Sequence, residues 1–509
     1  MRFASGYREL TERFLLVREG AEEEYVRGRI VPIPERVVRC VWYDQRLRRD
    51  ALTTVDGRRV EVISQGEWNR GGGPDFLDAL VRIDNGPELR GNVEIHVRTS
   101  DWVRHGHHRD QAYDNVILHA AMWNDAGPAV ARSSGCSSIA QVELFPHLDL
   151  DLWDLMLELD MENYPFCSQS RIGACSEAAR ESGGALIELL TLAGKERLFT
   201  KARRFLKRLE TAPFEEAAYI GFMEAAGYRP NKKAFRKLAA AVPYPVVREA
   251  AARRPSTDGA ETIQALFFQQ SGLYRSVKFN EWDVETREYV KRLNALWEQW
   301  RERVDAGARM TGGEWTVSGV RPANFPLRRM AGMSFLLAAG AGGGPARIVL
   351  EYGERLKTAG TERGMRTATR AFIESLVCAG DGYWARRLAP GSGARDRVPA
   401  LIGRSLARTM ALNAALPLLM CRAESGNDGR LYDAVMKEYA AFPALDVHQI
   451  TRLMSYRLWG SHAAARGAVK KEIVQQGLLQ VFFDFCDGNV RDCRSCSFPG
   501  MIGKFGAGR

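Results

Sequence analysis

Apolar and polar residues alternate along two stretches in the first hundred residues. One is Phe76-Leu77-Asp78-Ala79-Leu80-Val81-Arg82-Ile83 and the other is Asn92-Val93-Glu94-Ile95-His96-Val97. That period predicts strands. Upstream, Val37, Val38, Val41 and Trp42 recur at helical spacing behind Pro34, which suits a first helical turn. Asp56-Gly57 predicts a tight turn, and Val60 to Ile63 a further strand. A short helix is expected to run to about Tyr113. The nearly unbroken apolar run from Val116 to Trp123 predicts a buried strand, and Ile139 to Leu144 one more. The order is helix, three strands, helix, strand.

From about Leu150 the alternation stops and helix formers dominate. Amphipathic helices are expected over Leu186 to Leu209, Asn231 to Ala241, Ala260 to Gln270, Asp283 to Arg303 and Arg328 to Ala339. More follow over Arg366 to Ala379, Val398 to Cys421, Leu431 to Phe442 and Val469 to Cys486. No fixed period marks a helical repeat. The expected organisation is a loosely held lead-in over 1–30, an α/β domain over 31–150, a helical domain over 151–480 and a cysteine-rich tail over 481–509. The fold class is therefore α+β, in more than one domain, as a length of 509 residues suggests.

Charge and cysteine content narrow the partners. With 72 Lys+Arg against 62 Asp+Glu, the excess of ten positive charges suits a polyanionic partner. The N-terminus has no apolar signal core, and the most apolar later stretches, such as Ala411 to Met420, are too short to cross a bilayer. These features predict a reduced, cytoplasmic protein with no membrane segment, in which clustered cysteines bind metal rather than form disulfides.

The candidate chemistry gathers on the alternating stretches. Residues two apart on a strand share a face, so Glu94 and His96 point the same way. If the two strands pair, Asp75 lies beside Glu94, and two carboxylates meet an imidazole. That combination suits a hard divalent cation with a polarising or basic group beside it. Five of the eight histidines, His96, His105, His107, His108 and His119, lie within 96–119, next to Asp101 and Asp110. Such a concentration points to a metal or acid–base site.

Asn69, Gly73-Pro74-Asp75-Phe76, Gly91, Val93-Glu94-Ile95-His96, Asp101-Trp102, His105, His107, Asp110, Tyr113 and Val116-Ile117-Leu118-His119 together resemble the DUF2851 family. The similarity continues through Gly227-Tyr228-Arg229-Pro230-Asn231-Lys232 and Arg321-Pro322-Ala323-Asn324-Phe325-Pro326 to the terminal cysteines. That resemblance supplies no activity. A second one does. Pro74-Asp75, a gap of residues 76–93, then Glu94-Ile95-His96, set in helix–three strands–helix–strand, is similar to the PD-(D/E)XK nuclease superfamily. The resemblance implies that Asp75 and Glu94 hold Mg²⁺ or Mn²⁺, with Glu35 of the first helix assisting. It also implies that His96 stands where the superfamily usually has a water-activating lysine. A histidine there can be a base, a cationic stabiliser or a third ligand, and it softens the site towards Mn²⁺ or Zn²⁺. Asn69, Asp101, His105, His107, His108, Asp110, Tyr113 and His119 are expected in a second shell or at a second site.

Two further features bear on partners. Cys486, Cys493 and Cys496 form a C-x₆-C-x₂-C array, a three-thiolate set for Zn²⁺ or a 4Fe–4S cluster. Cys167 is the first candidate for the fourth ligand and Cys175 the second. Basic residues cluster at Lys195, Arg197, Lys201, Arg204 and Arg208, and again at Arg321, Arg328 and Arg329, the last group near Trp300, Trp315 and Phe325. Arginines with aromatics suit phosphate contacts and base stacking, in DNA or RNA. The expected function is metal-dependent hydrolysis of nucleic acid. A non-cutting nucleic-acid-binding scaffold and a metallohydrolase of small molecules are the alternatives.

Overall fold

Pro34, with extended backbone, opens helix α1 (Glu35–Tyr43), whose buried face carries Val37, Val38, Cys40, Val41 and Trp42. The computed structural model describes residues 6–11, 25–26, 29–30, 33–70, 73–127, 129–131, 138–159, 164, 173–182, 184–253, 256–273, 282–317, 320–339, 344–446, 449–460, 465, 467–486 and 496–507. By chain contacts these fall into two units, one drawn from 3–197 with 447–509 and one from 198–446. The fold is α+β: the first unit holds a mixed sheet, and the second is helical.

Among the described residues, seven strands form that sheet: β1 (Val60–Ser64), β2 (Glu67–Trp68), β3 (Phe76–Ile83), β4 (Glu88–Arg98), β5 (Val116–Trp123), β6 (Ala129–Ala131) and β7 (Ser138–Glu143). The order is β1-β3-β4-β5-β7-β6, with β2 beside β3. β1, β3 and β4 are antiparallel, whereas β5 is parallel to β4 and β7 parallel to β5. The crossover from β4 to β5 is short: helix α2 (Asp101–Arg104) and two 3-10 turns ending at Tyr113. Two irregularities set the phase of the central strands. β3 gains a residue between Phe76 and Ala79, where Asp78 has φ +54°, and β5 gains one at Ile117. The second requires Gly91, because a Cβ there would lie 2.4 Å from the Ile117 side chain.

The two faces of the sheet differ. Phe76, Ala79, Val81, Val93, Ile95, Leu118, Ala120 and Met122 join α1 in one apolar core. The other face has a small cluster of Trp102, Tyr113, Val116 and Ile139, with polar side chains beside it. Residues 6–11 are helical, and Tyr7 is buried and donates to Asp484 at 2.8 Å.

In the helical unit, most expected helices appear with ends moved by a few residues. The exception is the one expected from Val398. Ile402 instead pairs in a bridge with Cys378, Gly403 caps, and the helix starts at Arg404. A π-turn over Ala411–Ala415 precedes Pro417, whose missing N–H and bulky ring disturb the regular ladder at that point. No single helix among the described residues is long and apolar enough to cross a membrane.

Candidate functional site

Phe76 pairs with Val93 in the antiparallel ladder, which sets the preceding Asp75 beside Glu94. Gly73 (φ +99°) takes the left-handed conformation just before Pro74 and Asp75. Asn69 pins the same loop by donating its side-chain amide to the Pro74 carbonyl at 2.8 Å. The two carboxylates are tied through the backbone. The Asp75 N–H donates to Glu94 Oε2 at 3.0 Å, and the Ile95 N–H donates to Asp75 Oδ2 at 3.0 Å. From α1, one nitrogen of Arg39 reaches Asp75 Oδ1 at 3.0 Å and also pairs with Glu35, one turn earlier. Glu35, Asp75 and Glu94 thus meet around one guanidinium.

The second oxygen of Glu94 faces histidines. Glu94 Oε1 is 3.2 Å from His107 Nε2 and 3.8 Å from His96 Nε2. His96 Nε2 is 3.1 Å from His105 Nδ1, and its Nδ1 is 2.8 Å from His119 Nε2. Strand register puts Glu94 beside His119, and His119 beside Gln141. His119 Nδ1 lies 2.8 Å from Gln141 Oε1, and Gln141 donates its amide to the Gly127 carbonyl at 2.5 Å. Tyr113 packs on His107 with ring centroids 3.9 Å apart, and Trp102 lies against His107 and His119. His96, His107, His119, Asp75 and Glu94 are buried, and His105 is exposed.

Burial sets the protonation states. It pushes the Glu35 carboxyl up to about 7, with Asp75 and Asp101 adding to the shift and Arg39 opposing it. Burial also holds Glu94 well above the ordinary carboxylate range, reinforced by Asp75 and opposed by Arg39. It pushes His96 well below the ordinary imidazole value, helped by His119, His105 and His107. His119 falls to about 4 for the same reason, against its hydrogen bond to Gln141. Burial thus favours the neutral form of the His96 imidazole, which suits a base or a ligand better than a cationic stabiliser. The nearby fixed positive charge is Arg39.

The sequence expectation thus sorts into two groups. Glu35, Asp75, Glu94, His96, His105, His107 and His119 come together, with Tyr113 packed against them. Asn69 holds the loop that carries Asp75, and Asp101 acts on Glu35 through its charge. Asp101 is buried, accepts from the Arg98 N–H at 3.1 Å and pairs with Arg104, while exposed Asp110 caps a 3-10 turn by accepting from Ala112. His108 is half-buried. Sequence reasoning missed Arg39 and Gln141. Their signals are an i,i+4 Glu–Arg pair on α1 and an amide between Ala140 and Val142 in a short strand.

The basic residues are used mostly inside the protein. Arg328 is fully buried and donates to the carbonyls of Arg387, at 2.7 Å, and Pro399. Arg329 is buried too, 2.5 Å from Asn324 Oδ1. Neither can reach a phosphate, which corrects the expectation for both. Trp315 is likewise internal and donates to the Ser271 carbonyl at 2.8 Å. Lys195, Arg197, Lys201, Arg204 and Arg208 lie half-buried on the helix Ala185–Leu209. Lys201 donates to Asn413 and Arg208 to Glu224, while Arg197 donates to Gln476. Arg321 is exposed.

Cys167 and Cys493 lie outside the described residues. Cys486 ends a π-turn and Cys496 is half-buried. Cys175 is buried and starts the helix Cys175–Glu181, which packs against the terminal helix Phe498–Ala507.

No curated protein and no solved structure matches the chain. A family described as "Protein of unknown function (DUF2851)" matches residues 35–446, from the first residue of α1 through the sheet and the helical unit. The chain belongs to that DUF2851 family.

Proposed function

We propose that this protein hydrolyses phosphodiester bonds in nucleic acid with the help of a divalent cation, on a PD-(D/E)XK-like core. One observation carries the reading: Asp75 and Glu94 are hydrogen-bonded into one unit where an antiparallel meander meets a parallel crossover, with Glu35 and His96 alongside. Carboxylate oxygens are the donors that Mg²⁺ or Mn²⁺ takes, so the residues fit the cation chemically. Asp75 and Glu94 would hold it. The cation would supply charge for the phosphate and a lowered pKa for bound water. Arg39 balances the carboxylates and provides the permanent positive charge that a neutral His96 lacks. His96 offers a lone pair, to a proton or to a ligated ion. Arg321 is the exposed member of the proposed phosphate contacts. The terminal cysteines remain a proposed zinc or iron–sulfur site, tested by metal analysis of protein purified without air.

Purified protein should cut plasmid DNA or single-stranded RNA when Mg²⁺ or Mn²⁺ is added, and chelation should stop it. Asp75→Asn and Glu94→Gln should each abolish cutting with the fold intact. His96→Ala should lower turnover by about 10²–10⁴-fold if it accepts a proton. No cutting of either nucleic acid with either cation would end this reading. The ion pair of Arg39 with Asp75, in the cation's electrostatic place, favours one rival: a scaffold that binds nucleic acid without cutting it. Retained binding by an inert wild type would identify that rival.

A further inference from the structure

The polar face of the sheet contains a hydrogen-bond relay with only one consistent arrangement of protons. Gln141 donates its amide to the Gly127 carbonyl, so its oxygen is the atom turned to His119. That oxygen can only accept, so His119 Nδ1 carries the hydrogen and, in the neutral ring, its Nε2 carries the lone pair. His119 Nε2 must then accept from His96 Nδ1. The relay ends by leaving His96 Nε2 as a bare lone pair, aimed at His105 Nδ1 and Glu94 Oε1. This is how proteins prepare an imidazole to bind a metal: one ring nitrogen is fixed by a hydrogen bond so that the other is free.

The donor atoms around that lone pair have the spacing of a coordination sphere. Ligating atoms of His96, His105 and His107 all lie within 4.8 Å of one another. A tetrahedral ion with metal–nitrogen bonds of about 2.0–2.1 Å separates its ligands by roughly 3.3 Å. The separations here are 3.1 Å from His96 to His105, 3.2 Å from His107 to Glu94 and 3.8 Å from His96 to Glu94. Closing onto an ion needs only small side-chain adjustments. Trp102 and Tyr113 pack around His107 and limit its movement, while His105, the one exposed member, sits on the solvent side.

We infer that His96, His105 and His107 form a centre for a divalent first-row transition ion, of which zinc is the type, and not for Mg²⁺. Three imidazoles are borderline donors, which zinc and cobalt accept and magnesium declines. Gln141 and His119 act as positioning residues that hold His96 in the ligating tautomer. This assigns an ion class and ligand set beyond the proposed reaction, and it holds whether or not the protein cuts nucleic acid.

Cobalt(II) is the probe, because its visible absorbance reports the ligands. The full-length protein, stripped with a chelator, should bind Co²⁺ with d–d bands that excess Mg²⁺ does not displace. A second set of bands with near-ultraviolet thiolate character belongs to the cysteine tail and should vanish in Cys486→Ser. His105→Ala should remove the histidine signal, and so should His107→Ala. Gln141→Leu, which touches no ion, should weaken cobalt binding by about 10–100-fold, the usual cost of losing a partner behind a ligand. His147→Ala, elsewhere in the unit, should change nothing. If His107→Ala does not fold, exposed His105 decides the matter alone. Cobalt affinity unchanged in His105→Ala, or cobalt bound only through thiolates, overturns the centre. Cobalt held by the histidines of a protein that cuts nothing ends the nuclease reading and leaves the centre standing. Cutting by a wild type that takes no cobalt there does the reverse.

Discussion

Both units bury charged side chains, and they use them in opposite ways. In the helical unit buried Arg328 ends on main-chain oxygens. It holds the carbonyls of Arg387 and Pro399, in a stretch outside any helix, and Arg387 itself is locked by Asp283 at 2.7 Å and by Glu285. Arg328 there stands in for missing secondary structure. In the sheet unit buried Asp75, Glu94, His96, His107 and His119 converge on each other, joined by half-buried Glu35 and Arg39 and by exposed His105. Convergence on backbone makes a scaffold. Convergence of ionisable side chains creates an electrostatic conflict that an ion or a proton can relieve.

The contrast breaks first at Arg328. Arg328→Met should destabilise the helical unit by about 2–6 kcal/mol, since two buried carbonyls lose their donor at roughly 1–3 kcal/mol each. Urea unfolding followed by circular dichroism reads this directly. A loss below about 1 kcal/mol would mean that these arginines are not scaffold.

A smaller effect should appear at Glu35. Its carboxyl is raised from the ordinary 4.5 to about 7 in the folded state. Between those values the folded chain holds a proton that the unfolded chain has released. Stability from Glu35 is therefore present below about pH 4.5 and lost as pH rises through 7, by up to about 3 kcal/mol without bound cation. Glu35→Gln should flatten that fall. His119 works in the opposite direction, because its value drops from 6.5 to about 4. Its contribution is present above pH 6.5 and lost as pH falls through 4, so His119→Gln should make the acid side less steep. Equal pH profiles for wild type and both variants would show that the conflict is already relieved by neighbours.

Smallest is the effect at exposed Arg321. If it meets phosphate, Arg321→Glu should lower the slope of log affinity against log salt by about 1 for a bound nucleic acid. An unchanged slope removes that surface from consideration.

The strands and their shared face were readable because alternation is a local property. Asp75 beside Glu94, with His96 on the same face, follows from period two and one antiparallel pairing. Arg328 and Arg329 were misread because a row of arginines carries no sign of what it faces. The better signal at Arg328 was its surroundings: the helix Pro326–Ala339 is apolar almost all round, so a charge within it must be internal. Helix α1 showed its apolar stripe but not that Arg39 would bridge two acids, since Asp75 lies far along the chain. How strongly burial favours the neutral form of His96 was unreadable for another reason: it depends on depth, which sequence spacing does not report.

The extra residue at Ile117 matters for how this chain tolerates changes of length. Upstream of it Val116 belongs with the site face, and downstream Leu118 belongs to the core while His119 returns to the site. Deleting one residue there would rotate His119 into hydrocarbon and bring Leu118 out against Gln141, with no helix altered and no charge changed. Single-residue deletions should accordingly be tolerated in the turn around Gly86 and rejected between Asn115 and Leu118, a pattern that a deletion scan scored by soluble yield would display.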